Sequence, residues 1–312
     1  MRTFLAVVDR GGFSAAAEQV HRSQSRVSAH IAALERELGA TLIDRTRRPA
    51  RVTRAGEVLA SHARDILGAV GSARSAVGAA RDLAEGHLTL LTTPCLASSF
   101  LPDPLARVTT AFPGTRFAVL EDGRHDIERR FLDGGVVLAV LPVLTAPAAL
   151  GLRERVLWEE HVHAVVPVGH RFARLDGPVP IDELVREPLV LIGASGDAAP
   201  EVLDLLARRG VTGTAAATAD CPQTVAELVR AGLGVGLLTE IAAWSVTKGG
   251  GGDGTTVRVP LADSGLVRRV GAYWYDVLCA TDVGRALHRE VLTAPLPAGA
   301  LPLDTARSAT TR

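Results

Sequence analysis

With 312 residues, 47% of them hydrophobic and 22% charged, the chain can build a sizeable core and is too long for one ordinary domain, which excludes a disordered or fibrous protein. The formal net charge is zero, yet residues 1–56 hold ten arginines against five acids out of 34 basic and 34 acidic residues in all, so that end carries +5 and the remainder −5. Such a split points to a polyanion partner for one end only.

In chain order, Phe4, Leu5, Val7 and Val8 make an apolar helical patch that Gly11-Gly12 ends, and Ser14 is placed to cap a second helix through Ala15, Ala16, Ala17 and Val20. His21-Arg22 reads as a tight turn, with Ser23 capping a third helix. There Val27, Ile31, Leu34 and Leu38 recur at spacings of four, three and four, one buried stripe. The opposite face carries Ser25 and Ala29, flanked by Arg26 and Ser28, with Gln24 at the start. A recognition helix presents such groups to the major groove, where Gln and Arg make paired hydrogen bonds to adenine and guanine. Thr41–Ile43 and Ala50–Val52 read as short strands, which puts Arg45, Arg47, Arg48 and Arg51 on a wing beside that helix, suited to phosphates or a minor groove.

These segments resemble the LysR-type regulator signature in order and spacing: Phe13–Glu18 (FSAAAE), Ser23–Ser28 (SQSRVS), Ile31–Leu38 (IAALEREL), Leu42–Thr46 (LIDRT) and Thr53–Gly56 (TRAG). The resemblance implies a winged helix-turn-helix over residues 1–56 that binds double-stranded DNA, with Gln24, Ser25, Ser28 and Ala29 at base-contacting positions and Arg45, Arg47, Arg48 and Arg51 on the backbone. Family members often have Pro and Ala where this chain has Ser25 and Arg26, and Arg where it has Ala29. The base preference therefore does not carry over, and Arg26 is the candidate for a specific contact of its own.

Residues 57–85 read as a linker helix. Leu59, Ala63, Ile66, Val70, Ala73, Val77, Ala80 and Ala84 alternate spacings of four and three, a heptad seam that suits either a homodimer or a core helix, and a two-fold operator favours the dimer. A dimer of dimers is implied by the resemblance alone.

From residue 86 the pattern becomes α/β: strands at 87–92, 115–121 and 136–141 with helices near 96–112 and from 127, then strands at 161–167, 188–192, 214–219 and 234–239 with helices near 198–208 and from 222. Two lobes are expected, 86–160 with 277–295 and 161–276, with Arg269–Tyr275 returning to the second lobe. Their order looks like the periplasmic-binding-protein architecture of LysR-type effector domains. A small-molecule effector, a carboxylate or aromatic acid, is expected between the lobes, at strand C-termini and helix N-termini. Candidate contacts are Thr93, Pro94, Cys95 and Ser98 with the cation Arg124 from the first lobe, and Ser195, Gly196, Cys221 and Thr224 from the second. These residues also read as ordinary caps.

Other chemistry ranks lower. Gly193–Asp197 approaches a nucleophile elbow, but Asp197 stands where the last Gly belongs. Gly232–Gly236 follows a helix and precedes a strand, the reverse of a dinucleotide loop, and reads as a tight turn. His161 and His163 share a strand face without a third ligand at metal spacing. Three cysteines, at 95, 221 and 279, are odd in number and far apart, which argues against a disulfide framework and fits a reducing cytosol, although Cys95 and Cys221 leave a redox switch open. Residues 134–152 are uncharged, but Pro142, Pro147 and three glycines make them a poor membrane span. The reading is a cytoplasmic regulator that is no enzyme and carries no cofactor or metal, with a disordered tail at 296–312. A small-molecule binder without a DNA role and an α/β enzyme are the competing classes.

Overall fold

The computed structural model describes residues 1–45, 50–121, 130–131, 135–143, 151–193, 201–247, 254–262 and 266–303. Arg47, Arg48, Arg124, Ser195 and Gly196 lie outside them. The chain forms two compact units, residues 1–74 and 75–312.

In the first unit, α1 (Arg2–Arg10), α2 (Phe13–Gln19) and α3 (Gln24–Leu38) precede the antiparallel pair β1 (Ile43–Asp44) and β2 (Arg51–Val52). Phe4, Ala16, Val27, Ile31 and Leu42 are buried in its core. Ser23 caps α3, its Oγ accepting from the Arg26 amide at 3.4 Å. Ser14 does not cap α2: the cap position is Gly12, and the serine lies inside the helix. The expected stripe on α3 is buried only in its first half. Val27 and Ile31 are covered, whereas Leu38, in the last turn, is 48% exposed.

The helix α4 (Arg54–Ala84) has 31 residues and so runs for about 46 Å. Thr53 fixes its start: the hydroxyl donates to the Thr41 carbonyl at 2.7 Å and accepts from the Gly56 amide at 3.1 Å. Gly56 permits the close approach, because a Cβ there would stand 2.3 Å from the Leu42 carbonyl oxygen. Ala63 is fully buried and Leu59 half-buried in the core of the first unit, so these two belong to that core and not to a dimer seam. Ile66, Val70 and Val77 are exposed, as are Ala73 and Ala80.

In the second unit the strands lie in the order β4-β3-β5-β11-β6-β9-β7-β8, with β10 also on β6. They are β3 (His87–Thr92), β4 (Arg116–Glu121), β5 (Val136–Pro142), β6 (Arg153–Pro167), β7 (Leu189–Ile192), β8 (Ala215–Ala219), β9 (Val235–Thr239), β10 (Thr256–Pro260) and β11 (Val267–Trp274). The pairs β3-β4, β3-β5, β7-β8 and β7-β9 are parallel, giving two α/β halves. The helices are α5 (Pro94–Ser99), α6 (Pro102–Ala111), α7 (Ile181–Leu184), α8 (Glu201–Ala207), α9 (Pro222–Arg230), α10 (Glu240–Val246) and α11 (Asp282–Leu292). The single helix expected at 96–112 is broken in two where Pro102 and Pro104 lack the amides to continue it.

β6 joins the halves. Its residues 153–161 pair with β11, and 162–167 pair with β9 and β10. Only its last part was expected as a strand. β11 also departs from expectation: Val270–Trp274 pair with β5 of the first half rather than returning to the second. The expected tail is ordered in part, since Leu301 bridges Glu159 with hydrogen bonds of 3.0 and 2.8 Å and Ala300 packs on the core. The Gly232–Gly236 segment is a tight connection. A Cβ on Gly234 would meet the Pro188 carbonyl oxygen at 2.1 Å.

Candidate nucleic-acid interface and effector site

Gln24, Ser25, Arg26 and Ala29 are exposed on the first turns of α3, and Ser28 is half-buried beside them. The Ser25 hydroxyl meets the cap hydroxyl of Ser23 at 3.0 Å. Four of the five expected base-contacting side chains are therefore open to solvent on one helical surface. Arg51 is exposed on β2 opposite Asp44. Arg45, expected on the phosphate backbone, is engaged within the protein: it donates to Ser28 Oγ at 3.1 Å and to Glu35 at 3.2 Å, and lies 5.2 Å from the Phe13 ring. Glu35 was not singled out from the sequence, where nothing in the IAALEREL run distinguishes it from Glu37. The turn before α3 holds His21 at φ 51°, left-handed backbone that a non-glycine residue rarely adopts.

In the second unit, Thr93 ends the connection from β3 and Pro94 opens α5. The Thr93 hydroxyl and the Cys95 thiol are 3.4 Å apart, and Cys95 is buried. Ser98 Oγ donates to the carbonyls of Pro94 and Cys95 at 3.2 Å, a helix back-bond that ordinary packing explains. In the other half, Cys221 occupies the cap position of α9 and its thiol lies 3.2 Å from the Thr224 hydroxyl. Each half thus places a threonine–cysteine pair where a parallel strand gives way to a helix beginning with proline. Both α5 and α9 pack on α10.

Two charged clusters stand where the halves join. Glu160 is fully buried and Arg268 nearly so; Arg268 donates to Glu160 Oε1 and to the Thr239 hydroxyl, both at 2.9 Å. On the neighbouring part of β6, His163 meets Glu240, which also pairs with Arg258. Burial pushes the Glu240 carboxyl up, but the hydrogen bond from His163 and the charges of His163, Arg258 and His161 outweigh it and hold the group below its usual range. His163 is thus partnered by a carboxylate, and among the described residues no cluster suited to a metal ion is found. No helix is long and apolar enough to cross a membrane among the described residues.

Comparison with known proteins agrees with this layout. Residues 1–57 match the model of the bacterial regulatory helix-turn-helix protein, lysR family, and residues 81–277 match the LysR substrate binding domain. A probable hydrogen peroxide-inducible genes activator of Mycobacterium leprae is 33% identical over 248 residues, 78% of each chain. A protein of the same description from Streptomyces viridosporus is 30% identical over 298 residues, 95% of this chain and 92% of its own. Among solved structures, a cysteine mutant of Corynebacterium glutamicum OxyR is 27% identical with a TM-score of 0.53, covering 93% of this chain and 88% of that one. These relatives are transcription regulators and not enzymes, and the matches span both units. The chain belongs to the LysR family of transcription regulators, with a helix-turn-helix DNA-binding region and a two-lobed effector-binding domain.

Proposed function

We propose that the protein binds a two-fold operator as a homodimer, reading bases through Gln24, Ser25, Arg26, Ser28 and Ala29 and gripping phosphates with Arg51 and the wing arginines Arg47 and Arg48. The exposed α3 surface carries this reading: uncovered Gln, Ser and Arg side chains at the start of a helix supply the donors and acceptors that major-groove edges demand. The exposed Ile66, Val70 and Val77 on α4 support self-association along that helix. A DNA-binding regulator works in the compartment that holds the chromosome, which places it in the cytoplasm.

The effector, in this proposal, is a small carboxylate or aromatic acid held between the strand-end loops that carry Thr93, Pro94, Cys95 and Ser98 on one side and Cys221 and Thr224 on the other, with Arg124, Ser195 and Gly196 completing the set. Hydroxyls and helix N-termini there favour an anion. A second reading has specific support: the paired thiols and threonine hydroxyls, together with relatives described as peroxide-inducible activators, suit an oxidant as the signal. Titration with benzoate and with small dicarboxylates, followed by a thermal unfolding midpoint, tests the first reading. Mass spectrometry of Cys95 and Cys221 after stoichiometric hydrogen peroxide tests the second. A midpoint raised by an acid with unmodified thiols supports the first, and oxidised thiols with no response to any acid support the second.

A further inference from the structure

The carboxylate of Glu35 is a junction between the recognition helix and the wing. Its Oε1 accepts from the backbone amides of Leu42 and Ile43 at 2.8 and 3.1 Å, and its Oε2 accepts from Arg45 at 3.2 Å. Arg45 spends its other terminal nitrogen on Ser28 Oγ at 3.1 Å and lies over Phe13 of α2. One acid on α3 therefore fixes the first strand of the wing through two amides. One cation from the end of that strand then returns to α3 a full helical turn and more before Glu35. The bonds form a closed ring: α3, the β1 backbone, Arg45 and α3 again. Glu35 is largely covered, its side chain 17% exposed, so its hydrogen bonds face little competition from water.

We propose that Glu35 and Arg45 are positioning residues for DNA recognition, locking the wing to the recognition helix and orienting the Ser28 hydroxyl, and that Arg45 is not a phosphate contact. The inference rests on the recognition-helix reading above. A guanidinium shared between a carboxylate and a hydroxyl is neutralised and held in place, which is poor preparation for neutralising a phosphate. Ser28 then has a defined chemistry. Accepting from a cation uses one lone pair and polarises the O–H, so the hydroxyl meets DNA chiefly as a donor. Its partners are acceptors: a phosphate oxygen, guanine O6 or N7, adenine N7 or thymine O4.

The two roles for Arg45 predict different salt dependence. A lost phosphate contact lowers the slope of log K against log salt by about 0.9, whereas a lost positioning contact weakens binding and leaves the slope alone. The test uses the full-length protein, a duplex selected from a random-sequence pool and an unrelated duplex, with Arg45→Ala, Arg45→Lys, Glu35→Gln and the Arg45→Ala/Glu35→Gln double variant. The proposal predicts that Arg45→Ala and Glu35→Gln each weaken the selected site roughly tenfold, that the double variant is little worse than either, and that all slopes match the parent. Arg45→Lys keeps the charge but cannot span both partners, so it should behave like Arg45→Ala. Faster amide exchange at Leu42 and Ile43 should accompany Glu35→Gln.

A slope reduced by about one in Arg45→Ala, with Arg45→Lys near the parent and Glu35→Gln neutral, overturns the proposal and makes Arg45 a phosphate contact. Strictly additive losses overturn it too, because they deny the ring. Failure of the parent protein to enrich any sequence from the pool would instead refute the recognition-helix reading, so the two failures are distinguishable. Arg45 is 41% exposed on its side chain and its substitution leaves the core intact, which keeps the Arg45 arm decisive even if a Glu35 variant folds poorly.

Discussion

Replacing Arg268 by alanine should damage the effector domain far more than its single position in the chain suggests. The guanidinium donates to Glu160 Oε1 at 2.9 Å, and Glu160 is fully buried on the strand that joins the two lobes. Glu160 Oε2 is also buried without a hydrogen-bond partner among the described residues, so little else compensates the carboxylate. Removing one member of a buried pair costs about 3–5 kcal/mol, most of it the penalty of the stranded partner. Replacing both members by apolar residues of similar volume, as in Arg268→Met/Glu160→Leu, should restore most of that loss, since the pair itself contributes little net stability. The assay is the urea midpoint of the parent, Arg268→Ala, Arg268→Met, Glu160→Leu and Arg268→Met/Glu160→Leu, with the unfolding slope checked for constancy. An Arg268→Ala loss below about 1 kcal/mol, or a double variant worse than either single one, would refute the picture of a self-compensating buried pair.

Gly56→Ala should destabilise the DNA-binding unit by about 1–3 kcal/mol or more, because the new methyl would face the Leu42 carbonyl at 2.3 Å; calorimetry of the variant measures it. His21→Gly should raise the unfolding midpoint of the same unit modestly, by relief of about 1 kcal/mol of left-handed strain less the entropy glycine loses, and an unchanged or lower midpoint would contradict that. His288 is held below its usual pKa, first by burial and then by the charge of Arg155, so the folded protein resists the proton that the unfolded chain accepts. Its contribution is intact above the unfolded value near 6.5 and is lost as pH falls below it toward the folded value. The urea midpoint of His288→Gln should therefore fall less between neutral and mildly acidic pH than that of the parent.

Much of the DNA-binding unit was legible because its signals are local. Ser23 caps α3 as its position before an apolar period suggests, and Val27 and Ile31 are buried as their spacing requires. Leu59 and Ala63 misled because a heptad seam and a core-facing stripe have the same spacing, and only tertiary packing tells which neighbour covers them. β6 was half missed because Arg153–Glu160 runs as three charged, three apolar and two charged residues, with none of the period-two alternation that announces a strand. β10 was missed although Thr256–Pro260 alternates in burial-prone and charged positions and follows a glycine-rich run, because the Gly249–Gly254 segment drew the reading to a loop. The pair Glu160–Arg268 is separated by 108 positions and the Glu35–Arg45 contact closes across a turn, so neither has a signature that periodicity can register. Thr93 and Cys221 sit at helix starts as expected, and their chemistry came from strand-to-helix order rather than from any motif.

The central claim is sequence-specific recognition by α3 in a two-fold protein, and selection of binding sites from a random-sequence duplex pool at moderate salt tests it most directly. The account predicts enrichment of a dyad-related sequence whose preference relaxes at one position per half-site in Arg26→Ala, while Arg51→Ala weakens all sequences alike and lowers the salt slope by about one. A folded protein that enriches no sequence, or an Arg26→Ala variant that selects the same site with unaltered preference at every position, would contradict it.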